Sequence, residues 1–191
     1  PEYGLILGSG LGPMAEEVEE KVVIPYSEIP HFKVSTAPSH VGRLVIGKLE
    51  GKNVVVMQGR VHLYEGYEPK EVTLPVRVMK ALGIKTLFAT CAAGGLNRNF
   101  KAGEFMILKD HINMTNSNPL IGGNDTEIGP RFPVMFDAYN TELREKAKEI
   151  SLNQKIYLHE GVYFGIAGPV FTTRAEARLA IQSGADAVGM S

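Results

Sequence analysis

The chain has no tryptophan, a single cysteine and no run of five like charges, and none of its apolar stretches approaches the ~18 residues of a membrane span. Each shortage closes a class of explanation. A lone Cys91 excludes an intrachain disulfide and fits a reducing compartment; at the end of an apolar run it reads as a buried thiol. Without a long apolar segment or a visible signal peptide, a soluble cytoplasmic protein is expected. Twenty Lys and Arg against 21 Asp and Glu leave a formal charge of -1, which argues against nucleic acid or an anionic membrane as the main partner. The acidic cluster Glu16-Glu-Val-Glu-Glu20 reads as a solvated helix face rather than a cation site. His31, His40, His111 and His159 are widely spaced and form no zinc-type ligand pattern, so no metal site is expected.

What is present is enough apolar material, 44% of 191 residues, for a substantial core. Strands are expected over Gly4 to Leu7, Leu44 to Leu49, Val54 to Met57, Thr86 to Cys91 (buried), Phe105 to Leu108, within Tyr157 to Ala167, and over Ala185 to Val188. Helices are expected over Met14 to Lys21, Val72 to Leu82 with Gly83 as its cap, Ala138 to Ile150, and Thr173 to Ser183. Pro25, Pro30 and Pro38 mark a loop region, Glu50 to Asn53 a hairpin connection, and Asp110 to Asp137 a polar loop. This succession predicts an α/β fold: one domain over residues 1–191, with a central mixed β-sheet flanked by helices. Pro1-Glu-Tyr runs almost at once into a strand and Met190-Ser191 follows another, so the chain reads as shortened at both ends.

In such sheets ligands gather at strand C-terminal ends, where Ser9, Arg60, Ala92 and Ser191 fall. Gln58-Gly-Arg-Val-His-Leu-Tyr-Glu-Gly66 follows an apolar run and spaces Arg60, His62 and Tyr64 at alternate positions. If the strand persists past Met57, all three share one face. Arg60 offers a fork of donors suited to phosphate and His62 another donor; alternatively they form a surface ion pair and a satisfied interior group. Glu65 is placed to orient His62, to neutralise Arg60 or to face water. Gly8-Ser-Gly-Leu-Gly12 lacks the third glycine of a dinucleotide fingerprint, because position 13 is Pro13, and lacks the Lys-Ser/Thr of a P-loop. It is a phosphate cradle of N–H groups with the Ser9 hydroxyl, or a tight turn. Ala92-Ala-Gly-Gly95 either lets the backbone approach a ligand or turns under packing constraint.

Taken together, Leu7-Gly-Ser-Gly-Leu-Gly12, Gln58 to Tyr67, Ala92-Ala-Gly-Gly-Leu-Asn97, Asp110-His-Ile-Asn113, Gly168-Pro-Val-Phe171 and Gly184 to Ser191 resemble the trimeric, low-molecular-weight purine nucleoside phosphorylases. The resemblance covers almost the whole chain in the family's order. It implies that Ser9, Arg60, His62, the Ala92 N–H and Ser191 hold phosphate, with Arg60 and His62 catalytic. It places Tyr64 and Met190 at the ribose, Phe171 and Thr172 at the base, and Phe132 in a neighbouring subunit's site of a homotrimer. The implied reaction is phosphorolysis of purine ribonucleosides or 2'-deoxyribonucleosides such as inosine and guanosine, for purine salvage. No cofactor is implied, inorganic phosphate being a co-substrate. Methylthioadenosine phosphorylase and a catalytically impaired purine- or phosphate-binding homologue are the alternatives.

Two positions depart from the family pattern. Thr172 stands where the family has a glutamate that accepts hydrogen bonds from a 6-oxopurine, a loss of ~1.5–3 kcal/mol in a buried site. The family also continues past Met190-Ser191 into an asparagine at the leaving purine and a histidine at the ribose 5' hydroxyl.

Overall fold

Val54, Val55, Val56 and Met57 are all buried, with Val54 and Val56 packing on one side of their strand and Val55 and Met57 on the other. A strand covered on both faces requires such an unbroken apolar run, and each side chain contributes roughly 1.5–3 kcal/mol over exposure. In the computed structural model, which describes residues 1–38 and 40–191, this strand is the centre of a mixed sheet. Its members are β1 (Tyr3–Leu7), β2 (Glu19–Pro25), β3 (Arg43–Leu49), β4 (Lys52–Gln58) and β5 (Thr86–Ala89), ordered β2-β3-β4-β1-β5. β1 runs parallel to β4 and β5, while β3 is antiparallel to β2 and β4. The C-terminal ends of β1, β4 and β5 therefore lie along one edge. Helix α1 (Pro69–Ala81) sends Leu74, Val78 and Met79 into the core around Ile6, Leu44 and Val55. These elements belong to one unit, Pro1–Ala92 with Asn118–Gly122.

The second unit, Ala93–Ser117 with Gly123–Ser191, holds another mixed sheet. It consists of β6 (Gly94–Gly95), β7 (Phe105–Met114), β8 (Leu158–Ile166) and β9 (Ala187–Gly189), in the order β6-β9-β8-β7. Helices α2 (Thr141–Asn153) and α3 (Arg174–Gln182) complete it, and Phe164, Ala180 and Ala185 are its buried centre. The α/β class and the mixed, helix-flanked sheet agree with the sequence pattern. No helix among the described residues is long and apolar enough to cross a membrane.

Several local expectations need correction. The helix expected over Met14 to Lys21 is a 3-10 segment, Gly12–Glu17, followed by β2. Pairing with β3 through a bulge between Glu19 and Val22 overrides the helix preference of the Glu-rich sequence. The acidic cluster is thus not one helix face; Glu16 instead pairs with Lys21 and Arg43. β7 runs on to Met114, where a polar loop was expected from Asp110, because β8 pairs along its whole length. β5 is not a buried strand. As the edge of its sheet it pairs only with β1, leaving Leu87 and Phe88 exposed and the following Cys91 half-buried. The hairpin expectation holds: Glu50 and Gly51 both have positive φ, the two-residue geometry that matches strand twist.

Candidate active site

Strand β4 stops at Gln58, so the strand alternation expected for Arg60, His62 and Tyr64 does not occur. Gly59 turns the chain at φ +89°, where an added Cβ would lie 2.8 Å from the Cα and Cβ of His40. After Arg60, Val61 and an extended His62 the chain enters a 3-10 turn, Leu63–Glu65. The three side chains converge nonetheless, through three other partners.

His40 is the first of these. Its Nδ1 lies 3.1 Å from the Arg60 N and 2.7 Å from the Arg60 O, and its Nε2 lies 3.3 Å from the Ser9 Oγ. Thr90, just past β5, is the second. Its carbonyl accepts from the Arg60 guanidinium at 2.8 Å, its Oγ1 accepts from the Gly8 N–H at 3.0 Å and donates to the Ile6 O at 2.9 Å. Gly8 has no room for a side chain here, since a Cβ would meet the Thr90 O at 2.5 Å. The glycine turn after β1, the Arg60 turn after β4 and the residues after β5 are thereby laced together along one sheet edge, and Ala92 is exposed at the end of this segment.

Glu65 is the third partner, and of the roles open to it from sequence the structure selects orientation of His62. Its side chain is 1% exposed, and that of His62 is 7% exposed. Oε1 accepts from the His62 backbone N–H at 2.8 Å and pairs with His62 Nδ1 at 2.9 Å; Oε2 accepts from the N–H and the hydroxyl of Thr36. Burial alone would raise the Glu65 pKa, but the hydrogen bonds from Thr36 and His62 prevail and hold it at about 2. Burial pushes His62 below its ordinary value, and Arg60 and His40 push the same way against the pull of Glu65. The neutral imidazole that results, with Nδ1–H donated to ionised Glu65, presents Nε2 as an acceptor. The His62 ring stacks on Tyr64, with centroids 4.7 Å apart at 15°, and lies 5.0 Å from His40.

His40, Thr90 and Thr36 escaped the sequence reading. Each acts through tertiary contacts 20 to 84 residues away in sequence, and none lies in a recognisable spacing. Among the described residues, no group of three or more His, Cys, Asp or Glu side chains is arranged to hold a metal ion.

The remaining candidates lie in the second unit. The Ser191 N–H donates to the Tyr163 phenol oxygen at 3.0 Å, fixing the Met190–Ser191 tip beyond β9 against β8. Phe171 and Thr172 lie between β8 and the capping Thr173 of α3; Phe171 is 88% exposed and Thr172 half-buried. Phe132 is 84% exposed, with the Arg131 guanidinium 5.8 Å from its ring centre.

Residues 2–191 match the Phosphorylase superfamily model. The chain is 54% identical over 191 residues to purine nucleoside phosphorylase 1 of Geobacillus stearothermophilus, covering 100% of this chain and 70% of that protein. Isoform 2 of the Schistosoma mansoni purine nucleoside phosphorylase, in complex with cytosine and ribose-1-phosphate, superposes with a TM-score of 0.94 at 45% identity, covering 100% of this chain and 69% of that one. The Schistosoma mansoni enzyme in complex with inosine gives 0.93 at 45% identity with the same coverage. With a near-complete family match and this level of identity, the chain belongs to the phosphorylase superfamily, in its low-molecular-weight purine nucleoside phosphorylase family.

Proposed function

We propose that this protein cleaves purine nucleosides with inorganic phosphate, yielding the free base and (deoxy)ribose 1-phosphate, as in purine salvage. The observation that carries the reading is the Ser9–His40–Arg60–His62–Glu65 cluster at the ends of β1 and β4. It offers a guanidinium, a hydroxyl and a neutral imidazole acceptor, with an ionised carboxylate behind the imidazole. That set suits a hydrogen phosphate. Arg60 and the Gly8–Gly12 turn hold its anionic oxygens, while its hydroxyl donates to His62 Nε2. A phosphate oxygen attacks C1', the glycosidic bond breaks with its electron pair leaving on the purine, and the bound anion stabilises the oxocarbenium-like sugar between them. No covalent enzyme intermediate is required.

In this reading Ser9, Arg60, His62, the Ala92 N–H and Ser191 hold phosphate, and Tyr64 and Met190 line the ribose. Phe171 and Thr172 meet the base. Residues 1–191 act as one phosphorylase domain in the cytoplasm. The high exposure of Phe132 supports its assignment to a neighbouring subunit's site in a homotrimer. The relatives crystallised with inosine and with ribose-1-phosphate support phosphorolysis of purine nucleosides over the methylthioadenosine alternative.

The test is phosphate-dependent base release from inosine, guanosine, adenosine and methylthioadenosine. Release from a purine nucleoside that requires phosphate is expected, and no release from any of the four contradicts the reading. Thr172→Glu is expected to raise inosine turnover by restoring a charged acceptor; an unchanged rate would separate Thr172 from base recognition.

A further inference from the structure

We propose that Tyr26 is a positioning residue for phosphate: its buried phenol fixes the peptide from which Arg60 is aimed. The inference rests on the phosphate-binding role given to Arg60 above. The β3–β4 ladder ends at the pair Arg43 and Gln58. One step further, the Gly42 N–H donates to the Gln58 O at 2.9 Å and the Tyr26 N–H donates to the Gly42 O at 2.9 Å. The next carbonyl on the β4 side is that of Gly59. Beyond the last ladder pair, the hydroxyl of Tyr26 donates to it at 2.7 Å.

A buried carbonyl without a donor is costly, so this bond decides how the Gly59 peptide is oriented. Tyr26 is 2% exposed, with its ring edge-on to Phe32 at 5.4 Å between centroids, so the phenol has little freedom to follow a shifting peptide. On its other side the Gly59 residue is closed in by His40. The following residue is Arg60, whose N–H and carbonyl meet His40 and whose guanidinium meets Thr90. A rotation of the Gly59 peptide would carry all three contacts with it. Tyr26 adds no group to the cluster; it acts through the backbone of Gly59. Burial pushes its phenol pKa up, which keeps the donor proton in place.

Tyr26→Phe removes the hydroxyl and keeps the ring. Its expected effect is a roughly three- to tenfold rise in both the KM and the calorimetric Kd for phosphate, the size of one buried hydrogen bond. The KM for nucleoside and the kcat at saturating phosphate should stay within about twofold. In an Arg60→Lys background, which lacks the planar fork, the same change should weaken phosphate by less than about twofold. Lower thermal stability with unchanged phosphate constants would overturn the proposal and leave Tyr26 a core residue. An equal effect in the Arg60→Lys background would also overturn it. Wild-type protein that binds phosphate yet cleaves no nucleoside would contradict the reaction assignment alone; the calorimetric comparison would still decide the role of Tyr26.

Discussion

The two units carry different kinds of functional surface. In the first, the candidate phosphate ligands Ser9, Arg60 and His62 are held by the protein itself: Glu65 satisfies His62 and Thr36, His40 bridges Ser9 and Arg60, and Thr90 ties Arg60 to Gly8. In the second, the aromatic candidates Phe132 and Phe171 stand in solvent. The contrast follows from the chemistry each has to do. An anion must be met by donors and acceptors already oriented, since buried polar groups cannot wait for the ligand to satisfy them. An apolar face loses less by waiting, and it gains stability only when a base or another subunit covers it. Substitutions in the first region should therefore disturb both stability and phosphate use, whereas those at Phe132 and Phe171 should disturb nucleoside use alone.

The comparison can be broken at several points. Arg60→Ala removes the only guanidinium assigned to phosphate and should lower kcat/KM for phosphate by roughly 10²- to 10³-fold in steady-state assays. A loss below tenfold would place the anion elsewhere. Glu65→Gln replaces a carboxylate that accepts from Ser35, Thr36 and His62, and chemical denaturation should register a loss on the order of 2–3 kcal/mol.

The pH dependence has a definite sign in each case. Glu65 is depressed to about 2 in the folded chain, so its contribution is complete above its ordinary 4.5 and is lost as pH falls from 4.5 toward 2. For His62 the folded value lies below 6.5, so the unfolded chain binds this proton more readily and stability declines as pH drops below 6.5. Protonated His62 also ceases to accept from phosphate, so kcat/KM for phosphate should fall about tenfold per pH unit on that acid limb. A profile flat through this range would remove His62 from the reaction. The smallest effect is expected at Phe132. Phe132→Ala should change unfolding free energy by no more than about 0.5 kcal/mol, while raising the nucleoside KM several-fold. A destabilised variant with normal KM would reverse the contrast between the units.

The parts of this design visible in sequence were those with local causes. Thr173 and Glu176 form a capping box that announces α3, and the Glu50–Gly51 turn announces the β3–β4 hairpin. β2 was hidden because Glu19, Glu20 and Lys21 favour a helix locally, and only the pairing with β3 decides otherwise. The candidate site shows the same division. Arg60, His62 and Tyr64 stood out by their spacing, yet the geometry thought to unite them was wrong. Gly59 ends the strand character, and convergence comes instead from His40, Thr90 and Glu65. His40 lies in a proline-punctuated loop whose sequence carries no sign of its partners.

Calorimetric titration of phosphate into the unliganded protein tests most directly whether the anion site is built in advance. The expected result is saturable binding without nucleoside, abolished by Arg60→Ala and unaltered by Phe132→Ala. Phosphate binding that appears only when nucleoside is present, or that survives Arg60→Ala intact, would contradict it.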